Sequence, residues 1–156
     1  MVDKLNIELL TIQKVDKDTI LAKKLVEFIK DFSWEDVKEH LLRKVKNWEY
    51  LEWETPFVAM IGDEIIGMVS VLKSDYYPIS EIFPWVTCIF VSEQYRGNRI
   101  SGKLIDFAND YAKKQGFKKT YIPTEYVGLY EKYGYYYLKD IINYGNGIDR
   151  LYVKDI

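Results

Sequence analysis

The chain has 156 residues and a formal net charge of −2 at pH 7, which predicts a single domain with a substantial core. This charge gives no support for a nucleic-acid-binding surface or a membrane-binding surface. No apolar run approaches the ~20 residues that span a bilayer, and we expect no secretion signal. The one cysteine, Cys88, excludes an internal disulfide and fits a reducing compartment, so we expect a cytoplasmic protein.

The first third of the chain predicts a strand followed by two helices. Residues 5–15 alternate loosely between apolar and polar side chains, as a strand does. Apolar residues at helical spacing follow from Asp18 onward. Ser33 is predicted to cap the second helix, with Asp36 as the partner of a short capping box. His40 then lies on the exposed side of that helix. With one histidine and one cysteine, a His/Cys zinc site is excluded, and we expect no metal.

A β-hairpin and a proline-containing loop come next. Residues 57–61 and 64–73 are β-rich runs around Gly62-Asp63, which is a hairpin signal. Residues 75–84 include two prolines and interrupt the sheet before the next strand. Tyr77 in this loop and Trp85 after it are equally compatible with a substrate pocket and with ordinary apolar packing.

The segment from Trp85 to Tyr135 is the most informative part of the sequence. Trp85–Val91 is nearly continuously apolar and predicts a strand buried on both faces. A helix follows to about Gln115, and residues 119–123 predict a strand, so the unit is a parallel crossover. Pro123 has no N–H to donate. We therefore expect the two parallel strands to separate toward their C-terminal ends and to leave a cleft there.

The last part of the chain predicts a hairpin around Gly145-Asn146-Gly147. Together these elements predict an α/β fold with a mixed sheet. It has antiparallel N-terminal strands, a central parallel β-α-β crossover with splayed strands, and a C-terminal hairpin.

Two short motifs in the central segment point to chemistry. The turn from Arg96 to Gly102, Arg-Gly-Asn-Arg-Ile-Ser-Gly, leads from a strand to a helix N-terminus, where backbone N–H groups can bind phosphate. By itself this is a weak signal, because charged turns before helices are common. Tyr130, in Leu-Tyr-Glu-Lys-Tyr-Gly-Tyr, is a candidate proton donor.

This order of elements and these motifs resemble the GNAT superfamily of acyl-CoA-dependent N-acetyltransferases. The turn is in register with the family's Arg/Gln-x-x-Gly-x-Gly/Ala motif, and the tyrosine motif looks like the family's Leu/Phe-Tyr-x-x-x-Gly-Phe. The sequence departs from the family pattern at Arg99, where glycine is usual, and at Ser101. Because position 99 begins a helix, we expect ordinary backbone angles for Arg99, and its guanidinium can contact phosphate directly.

The resemblance implies acetyl-CoA as co-substrate and assigns residues to its binding. The backbone of three strand residues would pair with the pantetheine arm, namely Ile89, Phe90 and Val91. The turn would bind the pyrophosphate through Arg96, Gly97, Asn98, Arg99, Ser101 and Gly102.

The resemblance also implies a mechanism. Tyr130 would protonate the departing CoA thiolate, and Tyr133 and Tyr135 are neighbours that do not fit the motif register. Glu81 is the candidate base for the amine, directly or through water, with Asp75 and Glu125 as competitors. A backbone N–H near Ile89 could bind the oxyanion. Cys88 is expected to be a small core residue rather than a nucleophile.

The expected function is therefore transfer of an acetyl group from acetyl-CoA to a primary amine by direct attack in a ternary complex. The alternative is a non-catalytic acyl-CoA-binding sensor or interaction module on the same fold. The acceptor is a small amine or a protein amine that the sequence does not identify. The 14 tyrosines leave a homodimer surface and an aromatic pocket as open alternatives.

Overall fold

The computed structural model describes residues 7–74 and 77–156, without the side chain of Asp36. These residues form one seven-stranded sheet in the order β1-β2-β3-β4-β5-β7-β6. The strands are β1 (Leu10–Lys14), β2 (Thr55–Ile61), β3 (Glu64–Leu72), β4 (Trp85–Val91), β5 (Lys119–Thr124), β6 (Tyr136–Ile142) and β7 (Ile148–Asp155). The helices are α1 (Ile20–Lys30), α2 (Glu35–Lys46) and α3 (Ile100–Lys114). The pairing of β4 with β5 is parallel and the other pairings are antiparallel, so the predicted mixed sheet is confirmed.

The N-terminal part agrees with the sequence in its hairpin and differs at two boundaries. β2 and β3 pair antiparallel around Gly62, as predicted. The first strand is shorter than predicted, because Ile7 is already helical and β1 begins at Leu10; residues 5–6 lie outside the described residues. The prediction that Ser33 caps the second helix is wrong. Trp34 is the N-cap of α2 without a side-chain hydrogen bond, and its ring packs edge-on against Phe90 at 5.2 Å, so packing rather than a polar cap fixes this helix start.

Helices cover both faces of the sheet. On one face α3 buries Ile100, Leu104 and Ile105 against the strands. On the other face α1 and α2 bury a second cluster that includes Leu25 and Leu41. Each fully buried side chain of this size contributes about 1.5–3 kcal/mol relative to an exposed one. β4 lies between the two clusters, since Val86 and Val91 belong to the first and Phe90 to the second.

The parallel strands separate as the sequence predicts. β4 and β5 meet at the register pair Trp85–Tyr121, and the N–H of Tyr121 donates to the carbonyl of Pro84 at 3.1 Å. Alternate residues of a strand direct their N–H to the same neighbour, so Pro123 stands where the next N–H toward β4 would be. On β4, a register shift accompanies Cys88, whose φ is +55°, and such a bulge bends the strand.

The C-terminal hairpin is also confirmed. β6 and β7 pair antiparallel, and β7 lies between β5 and β6. Asn143 closes the turn by accepting the N–H groups of Gly145 at 2.9 Å and Gly147 at 3.0 Å. Because every residue of β5 pairs with β7, β7 supports the wall of the cleft opposite β4. Within the described part of the chain, no helix is long and apolar enough to cross a bilayer.

Candidate active site

A cleft of about 540 Å³ opens where β4 and β5 separate. One wall is the β4 backbone from Val86 to Val91, and the opposite wall is β5 from Ile122 to Thr124. The turn before α3 lies at one end. Side chains from other elements complete the lining: Trp34, Val37, Tyr77, Tyr95, Tyr126, Leu129 and Tyr130. The cleft therefore joins the two motifs that the sequence analysis singled out.

The β4 wall carries the three residues predicted to pair with pantetheine. Ile89, Phe90 and Val91 line the cleft, and β4 forms no further register pair with β5 beyond Trp85 among the described residues. On the cleft side no described strand pairs with this stretch of β4, and the Val91 carbonyl there accepts a hydrogen bond from Arg96 Nε. The expectation that this strand is buried on both faces is wrong at Cys88 and Ile89. Both are half-buried because the bulge directs this part of β4 to the cleft.

Hydrogen bonds within the turn before α3 hold its shape. The Arg96 guanidinium Nε donates to the Val91 carbonyl at 3.0 Å and lies 5.5 Å from the Phe90 ring centre. The Asn98 amide donates to the Tyr95 carbonyl at 2.9 Å. Gly97 has a φ of +85°, a conformation that glycine adopts without a steric cost. Arg96 and Asn98 are therefore positioned by the turn itself, which then leads to the positive end of the α3 dipole.

Arg99 corrects an expectation from the sequence. It precedes α3 with φ +60° and ψ 25°, the left-handed region, and not with the ordinary backbone that we expected at a helix start. For a residue with a Cβ this conformation costs roughly 1–2 kcal/mol, which explains why glycine suits the position. The Arg99 side chain is exposed and lines the cleft, so its charge faces the space beside the turn.

Ser101 and Gly102, the last two residues of the turn motif, both contact Tyr133. The Ser101 Oγ lies 3.3 Å from the Tyr133 Oη. A Cβ added at Gly102 would come within 2.6 Å of the Tyr133 ring, so the close approach of this ring requires glycine. In the sequence Tyr133 is only a neighbour of Tyr130, because nothing in the local pattern connects it to a residue about 30 positions earlier.

The three tyrosines of the second motif have different environments. The Tyr135 hydroxyl is buried with Thr120 Oγ1 at 2.7 Å and Asn109 Oδ1 at 3.1 Å, which commits it to the core. Tyr133 contacts the start of α3. Of the three, Tyr130 is the one that lines the cleft. Burial, with smaller effects of neighbouring tyrosines, raises the pKa of Tyr130 to about 12, so its phenol is protonated at neutral pH and can donate a proton.

The structure does not bring the predicted base into the cleft. Glu81 is exposed, accepts a hydrogen bond from Ser80 at 3.4 Å, and is not among the residues that line the cleft. Glu125 is likewise exposed and outside the lining, and Asp75 lies outside the described residues. No carboxylate is among the described side chains that line the cleft. Any proton transfer from an amine to Glu81 would therefore pass through water.

One known protein family matches most of the chain, including the segment from Trp85 to Tyr135. Residues 21–135 match the model of the Acetyltransferase (GNAT) family. The chain belongs to the GNAT acetyltransferase family. It is thus an acetyltransferase, and acetyl-CoA, the acyl donor of this family, is its co-substrate.

Individual proteins resemble the chain in sequence or in fold. The N-alpha-acetyltransferase 30 of Schizosaccharomyces pombe is 27% identical over 121 residues, which are 73% of this chain and 80% of the relative. The crystal structure of aminoglycoside 6'-acetyltransferase type Ii superposes with a TM-score of 0.74 at 17% identity, over 93% of this chain and 96% of that one. A GNAT acetyltransferase from Elizabethkingia anophelis with acetyl-CoA bound gives a TM-score of 0.62 at 21% identity, over 96% and 99%.

Proposed function

We propose that this protein transfers the acetyl group of acetyl-CoA to a primary amine by direct attack in a ternary complex. One observation supports this most strongly: a single cleft has the phosphate-type turn at one end and the protonated Tyr130 phenol in its lining. The turn and α3 would bind the pyrophosphate through the backbone of Arg96 to Gly102. The pantetheine arm would extend along Ile89, Phe90 and Val91.

The proposed chemistry needs three groups around the thioester. A backbone N–H near Ile89 would stabilise the tetrahedral oxyanion. Tyr130 would then donate its phenolic proton to the departing thiolate, whose ordinary pKa of ~8.5 lies below that of the phenol. The acid is nevertheless useful, because a buried thiolate is costly and a positioned donor neutralises it as it forms.

Glu81 would receive the proton of the attacking amine through water. Its exposed position in the loop before β4 leaves a water chain as the route to the cleft. A carboxylate at the end of such a chain can act as a general base. The exposed carboxylate then returns this proton to solvent.

The acceptor is proposed as a small amine or a protein amine. Both types occur in the names of similar proteins, an aminoglycoside 6'-acetyltransferase and an N-alpha-acetyltransferase. Trp34 and Tyr126 line the cleft, and aromatic faces attract ammonium groups. We further propose that the 156 residues act as one acyltransferase domain in the cytoplasm.

A homodimer through β6 is also proposed. β6 is an edge strand of the sheet, and all its side chains except Ile141 are exposed. Tyr136, Tyr137 and Leu138 are each more than 40% exposed. An apolar edge strand of this kind is a template for pairing with another chain. Sedimentation at micromolar concentration would give a dimer mass, and a monomer mass would exclude this surface as an interface.

The first experiment is calorimetric titration of the protein with acetyl-CoA, followed by an acceptor screen that measures CoA release. We expect micromolar or tighter binding and turnover with at least one amine. Absence of binding at high micromolar acetyl-CoA would contradict the proposal. The second candidate function is a non-catalytic acyl-CoA sensor, which is favoured by the lack of a carboxylate among the described lining side chains. It predicts binding without turnover, so robust acetylation of any amine at physiological concentration would exclude it.

A further inference from the structure

Tyr133 connects the turn before α3 with the short helical turn that carries Tyr130. It is the last residue of the short helical turn Tyr130–Tyr133, and its side chain reaches the first turn of α3. There its ring lies so close to Gly102 that an added Cβ would be 2.6 Å from Cε1. Its Oη lies 3.3 Å from Ser101 Oγ. The Tyr133 side chain thus contacts Ser101 and Gly102 in the turn before α3. Tyr133 itself belongs to the same short helical turn as Tyr130.

Other contacts fix the turn Tyr130–Tyr133 from the opposite side. The carbonyl of Tyr133 accepts a hydrogen bond from Lys154 Nζ on β7 at 2.8 Å. The Glu131 carboxylate accepts the Gly128 N–H at 3.1 Å and the Tyr152 hydroxyl at 3.4 Å. The turn is therefore held between β7 and α3, and the contact with α3 runs through Tyr133.

The ring of Tyr133 also neighbours the ring of Tyr130. Their centres are 6.4 Å apart at an interplanar angle of 56°, a distance within the usual range for aromatic pairs. A displacement of the Tyr133 ring would therefore reach Tyr130 through the shared backbone turn and through this ring contact.

We propose that Tyr133 is a positioning residue that fixes the Tyr130 phenol relative to the cofactor-binding turn. The inference rests on the proposed role of Tyr130 as general acid. A general acid must lie about 2.6–3.2 Å from the atom it protonates, and a misplacement of 1 Å can cost roughly 10²-fold in rate. The turn from Arg96 to Gly102 would hold the pyrophosphate. Since Tyr133 contacts that turn, it sets the distance between the bound cofactor and Tyr130.

Gly102 then makes room for the Tyr133 ring, whereas its motif suggests that it allows close approach of phosphate. If glycine is needed for close approach of phosphate, Gly102→Ala should weaken acetyl-CoA binding. If glycine is needed to seat Tyr133, the same substitution should lower kcat at saturating acetyl-CoA and change the dissociation constant by less than about threefold. We expect the second result.

The test compares Tyr133→Phe, Tyr133→Leu, Ser101→Ala and the double variant Ser101→Ala/Tyr133→Phe. For each, kcat is measured at saturating substrates, the acetyl-CoA dissociation constant by calorimetry, and Tm by thermal unfolding. Tyr133→Phe keeps the ring and removes one hydrogen bond, so we expect a two- to tenfold lower kcat. Tyr133→Leu also removes the ring packing, so a larger loss is expected. The double variant should be no slower than Tyr133→Phe alone, because both changes remove the same contact.

The matched control is Tyr111→Phe, which removes a tyrosine hydroxyl that donates to the Trp53 carbonyl at 2.7 Å, outside the cleft. It should leave kcat unchanged. The inference is overturned if Tyr133→Phe and Tyr133→Leu both keep kcat within twofold of wild type, or if the loss lies in acetyl-CoA affinity alone. A wild-type protein without any acetyl transfer would instead contradict the proposed function, which separates the two failures.

Discussion

Trp85 on β4 and Tyr121 on β5 form the register pair at which the two parallel strands meet. Two residues further along β5, Pro123 lacks the N–H that would continue the ladder toward β4. On the other strand, Cys88 interrupts the regular backbone with a φ of +55°. One irregularity on each wall keeps the strands apart, so a ligand that enters the cleft need not separate them in order to bind.

Replacing Tyr130 with phenylalanine tests the proposed acid directly. Tyr130→Phe keeps the half-buried ring and removes only the phenolic proton donor. Because general acid catalysis contributes typically 10²–10⁴-fold and a thiolate needs less help than an alkoxide, we expect kcat to fall roughly 100-fold. Acetyl-CoA affinity should change little. Steady-state kinetics together with calorimetry would measure both, and an unchanged kcat would remove Tyr130 from the mechanism.

The proposed base gives a pH-dependent prediction. Glu81→Gln should lower kcat/KM for the amine about tenfold at pH 7, where the acceptor arrives as an ammonium ion. The deficit should disappear as the pH approaches the pKa of the acceptor, because the amine then enters already neutral. Glu125→Gln tests the competing candidate in the same way, since Glu125 is a second exposed glutamate outside the cleft lining. Parallel profiles for Glu81→Gln and wild type at all pH values would exclude Glu81 as the base.

Arg99 combines a strained backbone with a charge that faces the cleft. Arg99→Gly should raise the free energy of unfolding by up to about 1 kcal/mol, because glycine accepts φ +60° without the steric cost. The same substitution should weaken acetyl-CoA binding several-fold if the guanidinium contacts phosphate. Denaturant unfolding and calorimetry measure the two effects separately.

Two further variants separate strain from charge at this position. Arg99→Lys keeps a positive charge in the strained conformation, so it should retain most of the affinity and none of the added stability. Arg99→Asn tolerates the left-handed region without the charge, so it should behave like Arg99→Gly. If all three variants bind acetyl-CoA as tightly as the wild-type protein does, the guanidinium makes no phosphate contact.

The pKa shifts of the buried tyrosines predict the alkaline behaviour. Burial raises the pKa of Tyr130 and of Tyr135 to about 12, above the ~10 of an unfolded chain. The proton donor therefore stays protonated, and kcat should show no falling limb up to about pH 10. The raised pKa values also make folding stability depend on pH. The contribution of these phenols to the free energy of unfolding is complete below pH ~10 and is lost as the pH rises toward 12. Tyr135→Phe should reduce this alkaline loss in pH-dependent denaturant unfolding.

The sequence predicted the sheet well because its signals are local. The bounds of β4 and the hairpin around Gly62 follow from apolar runs and turn residues. The cleft follows from a proline, which has no backbone N–H in any conformation. The residues that line the cleft on β4 and in the turn could be located in the same way, because each lies next to a recognisable strand or helix boundary.

The wrong expectations concern residues whose conformation or contacts depend on tertiary structure. The left-handed Arg99 has a residue type that normally avoids this region, so composition gave the wrong expectation. The start of α2 at Trp34 depends on a ring contact with Phe90, and the contact of Tyr133 with Gly102 joins residues about 30 positions apart. Long-range contacts of this kind leave no periodic pattern in the sequence.

The position of Cys88 makes the protein convenient for spectroscopy. It is the one cysteine of the chain, and it lies at the β4 bulge in the lining of the cleft. A small fluorine-bearing thiol label would therefore attach at a single site without any background mutation. Its resonance would respond to a ligand that binds beside Cys88, and the rate of labelling would measure how strongly that ligand shields the thiol.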